Sequence, residues 1–158
     1  MTNPKKSSSG VYMINYHIIW ATKYRKQILT ENIRTTLGTI LNTICDAKGW
    51  TLIESQAMPD HIHIFLSVTP FERPVDIIKI LKGVTAKQLF EAHPELRSAL
   101  RYGHLWSPSY YIGTAGNVSS EVIAKYIKDQ QHKDNRSGVK RTAFPPPSKD
   151  GGFHAEIL

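Results

Sequence analysis

The sequence predicts an α+β domain of the split βαβ, ferredoxin-like type: a four-stranded antiparallel sheet, two helices on one face, and a further helix near the C-terminus. Three observations lead there. Two long segments carry apolar residues at helical spacing. Four shorter segments rich in β-branched and aromatic residues surround them. The resulting order, β-α-β-β-α-β, is the one the split βαβ arrangement requires.

Taken in order, residues 1–9 offer little to bury and read as a flexible arm. Gly10 to Ala21 reads as the first strand, with Val11, Ile14, Tyr16, Ile18, Ile19 and Trp20 favouring extended backbone. A basic loop follows, Thr22-Lys23-Tyr24-Arg25-Lys26. Thr30 is placed to cap a helix whose apolar positions, Ile33, Leu37, Ile40, Leu41 and Ile44, run to a stop at Lys48-Gly49. Trp50 to Ala57 is the second strand and His61–Val68 the third, joined by a turn at Pro59-Asp60. After a loop over Pro70 to Pro74, Val75 to about His93 forms the second helix, ended by His93-Pro94.

Residues 95–108 read as an irregular connector packed by Leu96, Leu100, Leu105 and Trp106. Ser109–Gly113 is the fourth strand, followed by a joint with glycines at 113 and 116. Ser119 is suited to cap a third helix that carries Val122, Ile123, Tyr126, Ile127 and Gln130 to about His132. A Pro- and Gly-rich tail completes the chain. The expected organisation is an arm over 1–9, one domain over 10–132 and a tail over 133–158.

Composition narrows the function classes. The 20 Lys and Arg exceed the 13 Asp and Glu to give a net charge of +7, and the pI is near 9.5. Such a surplus favours a polyanionic partner, nucleic acid first. Cys45 is the only cysteine, which excludes a disulfide framework and a thiolate zinc site. No apolar run approaches the roughly 20 residues of a membrane helix, and the polar start lacks a signal-peptide core. A cytoplasmic protein without a membrane partner is the expectation.

One stretch carries chemistry: Met58-Pro59-Asp60-His61-Ile62-His63. On a strand, side chains alternate between faces, so His61 and His63 share one face while Ile62, Ile64 and Leu66 enter the core. Two imidazoles so placed can hold one metal ion or serve as hydrogen-bonded structure. Asp60 can orient a neighbouring histidine or simply shape the turn. On the last helix, Tyr126 and Gln130 are one turn apart in an otherwise apolar stripe. That pair fits a joint site, or a buried tyrosine with a solvated glutamine.

Taken together, these motifs resemble the single-tyrosine HUH transposases of the TnpA type, from insertion sequences that move as single-stranded DNA. His61-Ile62-His63 corresponds to the HUH motif and Tyr126-Ile127-Lys128-Asp129-Gln130 to the tyrosine-helix motif. Thr22-Lys23-Tyr24-Arg25, Met58-Pro59-Asp60-His61 and Leu105-Trp106-Ser107-Pro108-Ser109-Tyr110-Tyr111 through Gly116-Asn117-Val118 are similar as well. The resemblance spans about residues 11–132.

It implies an enzyme that cleaves and rejoins single-stranded DNA through a 5′-phosphotyrosine link, with Tyr126 the nucleophile. It further implies that His61, His63 and Gln130 ligate a divalent cation, Mg²⁺ or Mn²⁺. The implied partners are single-stranded DNA with hairpins at the element ends and a second copy of the chain, the active sites being shared between subunits. Candidate DNA contacts are Lys23, Tyr24, Arg25 and Lys26 in the loop, and Lys79, Lys82 and Lys87 on the second helix. His17, His93, His104, His132 and His154 receive no role. The alternatives are an HUH endonuclease acting on repeated palindromes or plasmid DNA, and a non-catalytic ferredoxin-like nucleic-acid-binding module.

Overall fold

The computed structural model describes residues 3–100 and 103–115. The third helix with Tyr126 and Gln130, the glycine at 116 and the tail over 133–158 lie outside the described residues. The elements are β1 (Lys5–Lys6), β2 (Val11–Tyr12), β3 (Ile14–Ala21), a 3₁₀ turn (Lys23–Arg25), α1 (Glu31–Lys48), β4 (Thr51–Ala57), β5 (His61–Val68), α2 (Pro74–Ala92), the short α3 (Leu96–Ala99) and β6 (Tyr111–Thr114).

The four-stranded sheet has the order β4-β5-β3-β6 with every pair antiparallel. The first and third long strands are therefore neighbours at its centre, as a split βαβ fold demands. Their register pairs Ala21 with His61 and Ile19 with His63. A β-bulge interrupts β4 between Leu52 and Glu54.

Helix α1 begins and ends as its sequence dictates. The Thr30 hydroxyl accepts from the Ile33 N–H, and Gly49 closes the helix at φ 70°, a left-handed conformation costly for any residue with a Cβ. Its Leu37 and Leu41 join Ile77, Leu81 and Leu89 of α2 in one core with Ile18, Trp20, Ile62, Ile64 and Leu66 of the sheet. Full burial of each such side chain contributes roughly 1.5–3 kcal/mol relative to exposure. The connector after α2 closes this core through Leu96, Leu100, Leu105 and Trp106, all buried. Cys45 is also buried, and desolvation together with nearby Asp46 pushes its thiol up to about 11.

Three details differ from the sequence reading. The arm expected over 1–9 contains a strand: Lys5 pairs with Tyr12 and Lys6 with Val11, closed by a Ser7 N–H bond to the Gly10 carbonyl. The first strand is correspondingly split, so that β3 starts at Ile14 rather than Gly10. Gly113 is also placed differently. It lies inside β6 opposite His17, where a Cβ would come 2.5 Å from the Tyr111 hydroxyl oxygen. Its missing side chain makes room for a ring rather than forming a free joint.

Candidate active site

The helix-free side of β3 and β5 collects the polar residues that alternation removes from the core. His61, His63, Phe65 and Ser67 of β5 stand beside Asn15, His17 and Ile19 of β3, and all are buried. The His61 and His63 rings are 5.1 Å apart, at 65° to one another. The expected shared face is present.

His17, given no role from sequence, belongs to the same face. Its ring stacks on Phe65 at 4.4 Å and 7°, lies 5.7 Å from His63, and meets Tyr111 edge-on. The available signal was the alternation of β3 read from His17 through Ile19 to Ala21. Burial lowers His17 to about 4. Burial first, then the neighbouring charges of His61, His17 and Arg25, lowers His63 to about 3. Both are neutral near pH 7, with a ring-nitrogen lone pair available.

Asp60 orients its neighbour as well as occupying the turn. Its Oδ1 lies 2.6 Å from His61 Nδ1, while Arg25 approaches Oδ2 with Nε at 3.1 Å and Nη2 at 3.0 Å. Burial pushes this carboxyl up, but the hydrogen bonds and charges of His61 and Arg25 outweigh it and hold the group below its usual range. An ionised carboxylate only accepts, so His61 Nδ1 carries a proton directed at Asp60.

The basic loop divides by contact. Tyr24 is 67% exposed, its ring 5.2 Å from Lys23 Nζ. Arg25 faces Asp60, and Lys26 Nζ donates to the Ala99 carbonyl at 2.7 Å. On α2, Lys79 and Lys87 are exposed. Lys82 instead donates to the carbonyls of Ser107 at 2.5 Å and Ser109 at 3.2 Å. Burial lowers its amine to about 8.

Among the described residues no three His, Cys, Asp or Glu side chains converge as a metal-binding group. The histidine pair stands there as two donors, and Tyr126 and Gln130 lie outside the described residues. No helix among the described residues is long and apolar enough to cross a membrane.

The chain is similar to known proteins along most of its length. Residues 10–130 match the family model described as "Transposase IS200 like". The ISDra2 transposase TnpA of Deinococcus radiodurans is 41% identical over 130 residues, which cover 82% of this chain and 93% of the relative. The transposase for insertion sequence element IS200 of Salmonella typhimurium is 33% identical over 145 residues, covering 92% and 95%. A crystal structure of a Deinococcus radiodurans protein assigned as a transposase shares the fold, with a TM-score of 0.67 at 39% identity over 80% of this chain and 97% of that one. The similarity is spread along most of the chain, and by it the chain belongs to the IS200-like transposase family.

Proposed function

We propose that the protein cleaves and rejoins single-stranded DNA at insertion-sequence ends through a phosphotyrosine intermediate on Tyr126. The observation that carries this reading is the buried His61–His63 pair, with Asp60 on His61 Nδ1.

The Tyr126 oxygen attacks the scissile phosphorus. A P–O bond to tyrosine forms, the bond to the 3′ oxygen breaks, and that oxygen leaves as a 3′-OH after taking up a proton. The tyrosine stays linked to the 5′ phosphate, and attack by a 3′-OH reverses the exchange without an energy source. A tyrosine of pKa near 10 is a weak nucleophile at neutral pH, so charge stabilisation at the phosphate has to do much of the work.

The donor set fits a divalent cation. His61 is held through Nδ1 by Asp60, so Nε2 is the ring nitrogen that would ligate; His63 is neutral, and His63 Nδ1 is buried without a hydrogen-bond partner among the described residues. With Gln130 as the third ligand, the set would hold Mg²⁺ or Mn²⁺, whose charge when bound would polarise the scissile phosphate. The half-buried Lys23 and the exposed Tyr24 pair a charge with a stacking ring, as a single strand requires, and Lys79 and Lys87 offer charge to a hairpin stem. The assembly is a homodimer in which the helix bearing Tyr126 completes the partner's site.

Incubation with single-stranded DNA carrying the element ends, in Mg²⁺ or Mn²⁺, gives a denaturant-resistant protein–DNA adduct. Tyr126→Phe abolishes the adduct and leaves DNA binding intact. DNA binding with no adduct under any metal would favour a non-catalytic module, and an adduct that persists in Tyr126→Phe would overturn the nucleophile assignment.

A further inference from the structure

Arg25 stands 35 positions before Asp60 in sequence, yet its guanidinium makes two contacts with that carboxylate, both on Oδ2. The other oxygen, Oδ1, is given to His61. The carboxylate is thus split, with one oxygen anchored and one aimed.

The turn does not need this arrangement. Its closure comes from other groups: Thr22 donates its N–H to the Asp60 carbonyl at 2.9 Å, and the Met58 N–H donates to the His61 carbonyl at 2.8 Å. Removing the Asp60 side chain leaves both bonds in place.

The backbone that delivers Arg25 is costly. Tyr24 at φ 58° and Arg25 at φ 53° are consecutive non-glycine residues in the left-handed region, each costing about 1–2 kcal/mol. The Thr22 hydroxyl fastens the loop by donating to the Lys26 carbonyl at 2.7 Å. The Arg25, Asp60 and His61 side chains are 30%, 20% and 8% exposed, so the row runs from half-open surface to closed interior. Water competes least at the histidine end.

We infer that Arg25 is a positioning residue for His61, acting through Asp60 to fix the imidazole's orientation and its Nδ1–H tautomer. This places one member of the basic loop in the support of the catalytic site rather than on the DNA. It rests on the reading of His61 as a metal ligand only for its catalytic meaning; the positioning itself is a property of the metal-free chain.

The test uses the full chain with ¹⁵N-labelled histidine, reading ring-nitrogen signals without metal and then with Mn²⁺ alone. In the parent protein His61 is held as the Nδ1–H tautomer. In Arg25→Ala and in Asp60→Ala the tautomers mix, and Mn²⁺ affinity falls by about tenfold or more, the usual scale for losing an outer-shell partner of a ligating histidine. Arg25→Lys restores part of both, since it keeps the charge without the fork. The His93 ring, bonded to Thr36 at 2.8 Å and not to Arg25, Asp60 or His61, reports whether each variant is folded. A His61 tautomer unchanged in folded Arg25→Ala overturns the inference. If Mn²⁺ broadens neither the His61 nor the His63 signals of the parent protein, the ligand reading fails instead, and the tautomer populations still decide the role of Arg25.

Discussion

The indole N–H of Trp106 donates to the Thr85 hydroxyl at 2.9 Å inside the core, and that hydroxyl donates onward to the Leu81 carbonyl at 2.6 Å. The connector after α2 is thereby tied to the helix by a polar bond in an apolar setting. Thr85→Val keeps the shape and removes both bonds, leaving the indole N–H buried and unpaired. A loss of about 1–3 kcal/mol is expected, read as a lower urea midpoint with unchanged slope.

The lysines of α2 separate into two kinds. Lys82 is committed to the carbonyls of Ser107 and Ser109, so Lys82→Met lowers the melting temperature. Lys79 and Lys87 are exposed, so their replacement by Gln leaves stability nearly unchanged. It weakens binding to a hairpin stem and reduces the slope of log K against log salt by about 0.9 for each phosphate no longer neutralised. Binding isotherms at several salt concentrations, beside thermal melts, distinguish the two kinds.

Stability depends on pH through His17 and His63. Both are lowered in the fold, to about 4 and about 3, by burial. The unfolded chain takes up these protons below about pH 6.5 while the folded chain does not. Stability is therefore fully present above that value and falls as pH drops toward 4, by at most about 1.4 kcal/mol per pH unit for each group. Urea midpoints between pH 4 and 7.5 should show this slope, and His17→Phe should remove its share.

Gly113→Ala sets a new methyl 2.5 Å from the Tyr111 hydroxyl oxygen and 3.0 Å from the ring carbon that bears it. The ring has to move away from its edge-on contact with His17, at an expected cost of about 1–3 kcal/mol. Adding Tyr111→Phe removes the closer of the two clashes. The double variant should recover part of the loss in a thermodynamic cycle.

Much of the fold was legible because local rules and the global topology agree. Thr30, Gly49 and the apolar spacing of α1 mark the helix without reference to anything distant. The alternation of β5 likewise foretold which histidines share a face, since pleating alone decides it. What the chain hid was lateral. Arg25 meets Asp60, and His17 meets Phe65, only because β3 and β5 lie side by side in a fixed register. That register follows from pairing the first strand with the third, and no periodicity within either strand contains it. The engagement of Lys82 by two carbonyls was invisible for the same reason: its acceptors belong to a connector without a repeat.

The left-handed backbone at Tyr24 has a consequence for substitution. Asn or Gly would occupy that φ with less strain, so either should raise the melting temperature while stripping an exposed ring from the loop. Tyr24→Asn is thus the change a thermostability screen would retain and a strand-transfer screen would discard. On the proposed reading of Tyr24 as a stacking ring, durability and activity pull this one position in opposite directions.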